Sequence, residues 1–167
     1  MAQQHRMRVH IKNKKGVETK GGIRLPSKQE RNKILDSIGE RFGVKLNPKT
    51  MVEKDERIYI YTGEDLPEIK PGIIDIAGLH IGKMTGGEFK PGIEGSQIIN
   101  PKKNFIDVNQ KTAIRWMQGR DIKACVNESL TPGFVIVKRG DDIMGCGKFD
   151  GETIKNHMPK NRRLRYE

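Results

Sequence analysis

The stretch Gly133-Phe-Val-Ile-Val-Lys-Arg-Gly-Asp-Asp-Ile-Met-Gly-Cys-Gly-Lys148 decides the fold of the C-terminal half of this chain. Phe134 to Val137 form an apolar run rich in β-branched residues, which is typical of a buried strand. Gly140-Asp141-Asp142 supplies turn residues, so the apolar pair Ile143-Met144 is predicted to fold back beside that strand. The stretch therefore predicts a β-hairpin.

The end of this stretch, Gly145-Cys146-Gly147-Lys148, admits two interpretations. Glycine has no side chain, so the backbone there can approach another group closely. In the first interpretation RNA lies against Gly145 and Gly147, and Lys148 holds a phosphate. In the second, the two glycines pack tightly at the corner of a barrel. Both interpretations stay open at this point.

A basic segment follows the predicted hairpin. Residues 155–167 contain one acidic residue and five cations, which are Lys155, Lys160, Arg162, Arg163 and Arg165. This cluster exceeds what solubility requires, and Lys and Arg bind phosphates with release of condensed counterions. We therefore predict that the segment contacts RNA. Asn156 either hydrogen-bonds a base edge or a 2′-hydroxyl group, or caps a turn.

The composition is that of a folded globular protein with a basic surface. The chain has 167 residues, of which 34% are hydrophobic and 32% charged, enough for one large core or two small ones. A net charge of +11 favours association with a polyanion such as RNA, and the alternative is a charge that serves solubility alone.

The charge is uneven along the chain. Residues 1–54 contain 14 cations and 5 anions, residues 55–100 contain 4 and 8, and residues 101–167 contain 14 and 8. Two basic segments thus flank an acidic middle, which predicts two modules with the RNA surface on the outer segments. Pro67 and Pro71 interrupt the chain, and the boundary between modules is predicted near residue 68.

Membrane insertion and metal binding are not expected. No apolar run reaches the roughly 18 residues of a membrane span, and the N-terminal residues lack the apolar core of a signal peptide. We therefore expect a cytoplasmic protein. Cys125 and Cys146 form no Cys-x-x-Cys pair and the histidines are scattered, so reduced, partly buried thiols and no metal site are expected.

The clearest N-terminal element is a helix. Ser27 and Glu30 have the spacing of a capping box, and Gly43 can close the helix in a left-handed conformation. The buried stripe is predicted at Ile34, Leu35, Ile38 and Phe42, and the polar-face cations Lys28, Arg31, Lys33 and Arg41 are expected to be solvated.

Other N-terminal elements are short. Residues 50–53 and 57–61 predict a hairpin in which Tyr59 and Tyr61 cover apolar surface, the alternative being that they stack on bases. Residues 1–8 are predicted to be a frayed tail, and Val9-His-Ile11 to be either a short strand or an ordered arm. The lysines and glycines of residues 12–22 form either a loop that tracks phosphates or a solvated loop.

A second helix is predicted in the C-terminal half. Phe105 to Val108 are expected to enter it, and Asp107 with Gln110 is a possible capping box. Trp116 is predicted to pack inside. The cations Lys111, Arg115 and Arg120 lie on other faces or just after the helix, where they can extend the RNA-binding surface. Before this helix, residues 73–77 and 79–82 alternate like strands, with turns at Gly86-Gly87 and Pro91-Gly92.

Five segments of the C-terminal half occur in a recognisable order. They are Ala77-Gly-Leu-His-Ile-Gly-Lys83, Met117-Gln-Gly-Arg-Asp-Ile122, Pro132-Gly-Phe-Val-Ile-Val137, Met144-Gly-Cys-Gly-Lys148 and Ile154-Lys-Asn-His-Met-Pro-Lys-Asn-Arg-Arg163. This order resembles the PUA-like RNA-binding domain of Nop/Sun (Fmu-type) RNA cytosine-5 methyltransferases, over residues 70–165. The resemblance implies a β-pseudobarrel with peripheral helices, a fold used in tRNA- and rRNA-modifying enzymes and ribosome-maturation factors.

The chain departs from those enzymes in its candidate catalytic groups. Their nucleophilic cysteine follows proline or threonine, and neither Cys125 nor Cys146 does. No Gly-x-Gly-x-Gly cofactor loop follows a predicted strand. Asp141 and Asp142 are adjacent in a turn and point apart, and nothing places His157 beside Cys146. We therefore expect no catalytic residues, no cofactor and no enzyme activity.

The predicted fold class is α+β, with a small α/β module at residues 1–68 and a PUA-like β-pseudobarrel with peripheral helices at residues 69–167. The predicted function is that of a free-standing, non-catalytic RNA-binding protein. It would recognise structured tRNA or rRNA as an accessory factor in RNA modification or ribosome maturation, with an RNA-modifying enzyme or a ribosomal precursor as partner and no DNA. The alternatives are a protein-interaction adaptor in ribosome assembly and, less favoured, an RNA-modifying enzyme. The predicted RNA contacts are Lys111, Arg115, Arg120, Gly145, Gly147, Lys148, Lys155, Asn156, Lys160, Arg162, Arg163 and Arg165.

Overall fold

The N-terminal half of the protein is an antiparallel sheet of six strands that follow the order of the chain. The structure is a computed structural model that describes residues 17–18, 23–61, 78–124 and 129–165. The elements of this half are β1 (Val17–Glu18), β2 (Ile23–Leu25), α1 (Lys28–Phe42), β3 (Thr50–Lys54), β4 (Arg57–Tyr61), β5 (Leu79–Thr85) and β6 (Glu88–Pro91).

The C-terminal half is built on a second sheet of five strands. Its elements are α2 (Ile93–Ile99), β7 (Phe105–Asp107), α3 (Gln110–Met117), β8 (Ile122–Lys123), β9 (Gly133–Arg139), β10 (Asp142–Phe149), β11 (Thr153–Asn156) and a 3-10 helix (Lys160–Arg162). The strand order is β7-β9-β10-β11-β8, with β7 parallel to β9 and the other pairs antiparallel. The predicted α+β class with a PUA-like pseudobarrel is confirmed.

Helix α1 begins and ends as the sequence predicts. The Ser27 hydroxyl accepts a hydrogen bond from the Glu30 amide, and the Glu30 carboxylate accepts one from the Ser27 amide at 2.8 Å. Gly43 ends the helix with a φ of 70°, in the left-handed region that glycine adopts without strain. Ile34, Ile38 and Phe42 are buried, which confirms the predicted stripe.

Two cations on the polar face of α1 are not solvated as predicted, and the first is Arg31, whose guanidinium donates hydrogen bonds to the carbonyls of Pro48 and Lys49. Arg41 is not a solvated charge, because its guanidinium donates hydrogen bonds to the Phe134 carbonyl at 2.6 Å and the Thr131 carbonyl at 2.6 Å. Burial lowers the pKa of Arg41. The side chain therefore ties α1 to the start of β9, a contact between residues about ninety positions apart that helical spacing does not reveal.

The approach to α3 also differs from the prediction. Phe105 to Asp107 form the parallel strand β7 and do not enter the helix. The N-cap is Asn109, whose side-chain oxygen accepts a hydrogen bond from the Thr112 amide at 2.9 Å. Asp107 instead accepts one from the Gly140 amide at 3.0 Å. The capping box of Asp107 with Gln110 was therefore wrong, since Asp107 supports the turn between β9 and β10.

The predicted hairpin of the opening stretch is confirmed, but its second strand is longer than Ile143-Met144. Strand β10 continues through Gly145 and Gly147 to Phe149, and a β-bulge lies between Ile143 and Gly145. Helix α2 was not predicted. Gly95 explains its position, because a Cβ at Gly95 would overlap the Ile81 backbone, so only glycine lets α2 lie this close to β5.

One continuous core joins the two sheets. It packs α1 (Ile34, Ile38 and Phe42) against Ile81 and Phe89 of the first sheet and against Phe134 and Ile136 of β9. A second core lies on the other side of β9 around Trp116, which is fully buried as predicted. A small third cluster consists of Val52, Tyr59 and Leu25, so Tyr59 covers apolar surface as predicted.

Several sequence-based expectations lie outside the described residues. They concern residues 1–8, the strand Val9–Ile11, the strand of residues 73–77, Cys125, and residues 12–16 and 19–22 of the loop predicted at residues 12–22, within which Val17–Glu18 form strand β1. The boundary near residue 68 is also outside them and stays a prediction. Strand β4, before that point, pairs with β5 after it, from Arg57 opposite Lys83 to Ile60 opposite Leu79. Among the helices of the described ranges, none combines the length and apolar character needed to cross a membrane.

Candidate nucleic-acid interface

Helix α3 presents two of the predicted contacts to solvent. Asn109 caps its start, and the inward face buries Ala113 and Trp116. The opposite face leaves Lys111 and Arg115 exposed. The helix therefore fixes the backbone of both cations against the second core, while their charged groups stay accessible to a polyanion.

The segment that follows β11 lies against the C-terminal end of α3. The Leu164 amide donates a hydrogen bond to the Met117 carbonyl at 2.8 Å, and Arg163 Nε donates one to the Met158 carbonyl at 3.2 Å. The Arg163 side chain also passes directly over Gly119, whose φ is 84°. Arg163 is therefore partly a structural residue, which joins the end of α3 to the C-terminal segment.

Both polar atoms of the Asn156 side chain form hydrogen bonds within the protein. Its Nδ2 donates to the Trp116 carbonyl at 2.8 Å and to the Arg120 carbonyl at 3.2 Å, and its Oδ1 accepts from the Met158 amide at 2.9 Å. The structure thus shows the turn-capping alternative for this side chain. A contact of Asn156 with RNA stays a prediction, as does its choice of base edge or 2′-hydroxyl.

Two of the predicted contact residues form surface salt bridges. Lys155 Nζ is 3.1 Å from Asp121 Oδ2, and an Arg162 nitrogen is 3.1 Å from Glu94 Oε1. The hydrogen bond from the Asn156 amide, together with Lys155, lowers the pKa of Asp121. Exposed ion pairs contribute little to stability, so a phosphate can compete with either carboxylate.

Five other predicted cations carry no such partner. Within the described ranges the side chains of Lys111, Arg115, Arg120, Lys160 and Arg165 make no salt bridge and no hydrogen bond. All five are exposed. They lie on α3, on the loop after it and on the segment packed against the end of α3.

Gly145 and Gly147 of the opening stretch are buried. A Cβ at Gly147 would lie 2.5 Å from the Lys155 carbonyl and 2.7 Å from the Trp116 ring, so Gly147 allows β10, β11 and α3 to pack closely. Gly145 lies at the bulge with a φ of 111°. The structure shows the packing alternative for Gly147, and RNA contacts at both glycines stay predictions. Lys148 is exposed, with its ammonium 5.5 Å from the centre of the Phe134 ring.

A basic cleft was missed by the sequence-based prediction. Its volume is about 180 Å³, and it lies between the two sheets beside the C-terminal segment. The charged and titratable residues that line it are Arg57, His80, Lys83, Lys90, Cys146 and His157. Four of them come from residues 55–100, whose net negative charge hid the site. The sequence signal for this cleft was the presence of one cation in each of three successive strands, Arg57 in β4, Lys83 in β5 and Lys90 in β6.

Burial shifts the pKa values of three side chains that line the cleft: Cys146, His80 and His157. It raises the pKa of the Cys146 thiol to about 12, and that thiol donates a hydrogen bond to the Pro91 carbonyl at 3.0 Å. Burial also lowers the pKa values of His80 and His157. Cys146 is therefore a protonated packing residue, and both imidazoles are neutral at pH 7.

The geometry of the second sheet agrees with the comparisons to known proteins. Residues 103–164, from the loop before β7 to the C-terminal segment, match the family described as the methyltransferase RsmF PUA domain. The sequence-based resemblance to the PUA-like domain of Nop/Sun methyltransferases is thus confirmed for these residues.

Curated relatives match a longer part of the chain. Ribosomal RNA small subunit methyltransferase F of Shewanella loihica is 24% identical over 135 residues, which cover 80% of this chain and 28% of the relative. The proteins of the same name from Shewanella oneidensis and Shewanella woodyi are 24% and 26% identical over 81% of the chain. The chain spans less than a third of the length of these relatives. Residues 103–164 thus match a PUA domain of the RsmF type in sequence, and the five-stranded sheet they form agrees with that match.

Proposed function

We propose that this chain binds RNA, and ribosomal RNA in particular, as the RNA-recognition part of an rRNA-modification system. The observation that carries the proposal is the match of residues 103–164 to the RsmF PUA domain, because this segment contains every predicted contact residue except Arg165. The relatives are named for methylation of the small-subunit ribosomal RNA, which favours rRNA over tRNA as the ligand.

The accessible phosphate contacts are the five exposed cations without a partner in the described ranges. They are Lys111, Arg115, Arg120, Lys160 and Arg165. Lys148, Lys155 and Arg162 add to them once RNA displaces their weak surface interactions. Since RNA binding here rests on charge and shape, we expect affinity for structured RNA with little base preference in this segment. We further propose a cytoplasmic location and no catalytic role for these residues.

The test measures binding of the full chain to a structured rRNA fragment at several salt concentrations. The variant changes Lys111, Arg115, Lys160 and Arg165 to Gln. We expect the slope of log affinity against log salt to fall by about 3, since each lost phosphate contact removes roughly 0.7 to 0.9. These side chains make no contacts that the fold needs, so the variant should fold.

A matched control changes Lys28, Lys33, Lys45 and Lys49 to Gln, which removes the same charge from exposed positions of the N-terminal half. Equal slopes for the two variants would mean that the protein attracts RNA only through its total charge, and would contradict the proposed surface. Calorimetry with S-adenosylmethionine addresses the enzyme alternative, and we expect no binding heat. An adaptor would keep its protein partner when the four surface cations are removed.

A further inference from the structure

Three cations form a row across three neighbouring strands of the first sheet. Arg57 on β4 is directly opposite Lys83 on β5, and Lys83 is directly opposite Lys90 on β6. Directly opposite side chains share one face of a sheet, with Cβ atoms about 4.5 to 5.5 Å apart, and like charges in this arrangement repel. The cation row, defined by these three residues, therefore lowers folding stability unless a negative charge lies against it.

No acidic side chain of the described residues relieves this repulsion. Within those ranges, Arg57, Lys83 and Lys90 make no salt bridge and no side-chain hydrogen bond. Arg24, in the same sheet, is paired with Glu53 at 2.6 Å. The basic cleft that the row lines has no acidic residue among its described lining residues. Among the described residues, the same sheet thus pairs Arg24 with an acid and leaves Arg57, Lys83 and Lys90 around the cleft without one.

A β-bulge places a histidine beside the row. In β5, Ile81 is the extra residue between Gly82, which is opposite Ile58, and His80, which is opposite Tyr59. Side chains alternate between the two faces of a strand, so residues 80 and 83 would point to opposite faces in a regular strand. The bulge shifts that alternation by one residue, and His80 lines the same cleft as Lys83.

Two half-buried histidines complete the lining. Each has a buried ring nitrogen that finds no hydrogen-bond partner among the described residues: Nε2 of His80 and Nδ1 of His157. A buried polar atom without a partner is unfavourable, and such atoms are rare in folded proteins. Both rings also line the cleft, and the N–H that a neutral imidazole carries is a donor suited to a ligand with acceptor oxygens.

The charges around the two histidines explain why both are neutral without a ligand. Burial lowers the pKa of His80 and the charge of Arg57 lowers it further. A hydrogen bond with the Gly82 backbone and the charge of Glu94 act in the opposite direction. Burial also lowers the pKa of His157. The charges of Lys90 and Lys148 lower it further, and the charge of Asp121 raises it. An anion in the cleft would act like an additional acid and raise both pKa values.

We propose that this cleft binds one phosphate group of the RNA. Its volume of about 180 Å³ is below that of pockets that enclose a whole small molecule, which are about 300 to 1,000 Å³. The cation row supplies the charge, and His80 and His157 supply donors for the phosphate oxygens. The assignment of the phosphate to RNA rests on the proposed function, whereas the affinity of the cleft for phosphate does not.

The first experiment titrates the full chain with inorganic phosphate at constant ionic strength and follows the histidine ring resonances by NMR. Saturable shifts are expected for His80 and His157, together with a rise in both pKa values. The double variant Lys83→Gln and Lys90→Gln should lose these shifts. Lys28→Gln with Lys33→Gln, a control of equal charge on the exposed face of α1, should keep them.

The second experiment measures RNA binding of the same variants against salt. The Lys83→Gln and Lys90→Gln variant should lower the salt slope by about 1, the value for one phosphate contact, and the control should leave it unchanged. The amide NMR spectrum verifies that each variant is folded, which is expected because the substitutions relieve a repulsion.

Each result decides one part of the proposal. Absent histidine shifts, or shifts that persist in the double variant, overturn the phosphate site. Phosphate-induced shifts combined with an unchanged RNA salt slope overturn the assignment of the phosphate to RNA. A chain that binds phosphate in the cleft but no RNA would refute the proposed function and leave the cleft as a site for another phosphate-bearing ligand.

Discussion

The two basic regions of this protein differ in how the fold treats their charges. Among the cations of residues 155–165, Lys155 faces Asp121, Arg162 faces Glu94 and Arg163 bonds a backbone carbonyl, and only Lys160 and Arg165 have no partner among the described residues. In the cation row, three like charges stand opposite one another across strands with no acid of the described residues beside them. Whether the cations of a segment are already paired with acidic side chains is therefore a better guide to ligand binding than their number.

The largest effect is expected from Gly147→Ala, which disrupts the C-terminal region and leaves the cation row intact. A Cβ at this position would lie 2.5 Å from the Lys155 carbonyl, 2.6 Å from Ile154 and 2.7 Å from the Trp116 ring. Overpacking of this kind costs about 1 to 3 kcal/mol of unfolding free energy. Denaturant unfolding should show the loss, and Gly140→Asn is the control.

Gly140 suits this comparison because it occupies an open turn. No atom lies within 4 Å of a Cβ built there, and Asn tolerates its φ of 57°. We expect its stability to change by less than about 0.5 kcal/mol. An unchanged unfolding midpoint for Gly147→Ala would contradict the packing role of that glycine and favour the RNA-contact interpretation instead.

A smaller loss is expected from Asp121→Asn, which removes the acid that neutralises Lys155. The carboxylate accepts the Asn156 amide at 2.8 Å, and this hydrogen bond is the main reason why its pKa is lowered from 3.8. We expect a loss of about 1 kcal/mol at pH 7. A group with a lowered folded-state pKa stabilises the fold above its unfolded pKa, and this contribution disappears as the pH falls through the folded value.

Unfolding at several pH values checks this prediction. The difference in stability between the unsubstituted chain and Asp121→Asn should be constant above pH 5 and shrink below the ordinary aspartate pKa of 3.8. The exposed Asp141, which has no salt bridge or side-chain hydrogen bond in the described ranges, provides the control Asp141→Asn. A difference that persists into strong acid would mean that Asp121 acts through its shape and not its charge.

The smallest effect has the opposite sign and concerns the cation row. Lys83→Gln removes the central charge of Arg57, Lys83 and Lys90, so both cross-strand repulsions disappear. The unfolding free energy should rise by about 0.2 to 1 kcal/mol at low salt, and the gain should shrink as salt screens the charges. Lys33→Gln on α1 should give no comparable gain. A loss of stability would show that the row is not repulsive.

Local signals predicted the local parts of the fold. The capping box of Ser27 and Glu30, the left-handed Gly43 and the hairpin at Gly140 each depend on neighbouring residues, and each was found. Contacts between distant segments were not predicted. Strand β7 forms only through parallel pairing with β9, thirty-one residues later, and α2 depends on Gly95 lying against Ile81.

The candidate sites divide in the same way. The C-terminal cations could be predicted as candidate contacts because they cluster in the sequence. The PUA-like segment could be predicted because its motifs have a recognisable order. The partners of those cations, Asp121 and Glu94, lie far along the chain and could not be assigned to them. The cation row could not be predicted, because it depends on the register of β4, β5 and β6, which a one-residue bulge at Ile81 alters. The net negative charge of the surrounding segment also argued against a basic site there.

The pairing of β4 with β5 has a practical consequence for anyone who divides this protein. A fragment that starts at the predicted boundary near residue 68 would lack β4 and expose the edge of β5, from Leu79 to Lys83. Unprotected sheet edges pair with other chains, so such a fragment should aggregate or dimerise edge to edge. Such a fragment would also keep Lys83 and Lys90 but lose Arg57, so the basic cleft would be open on the side that β4 closes.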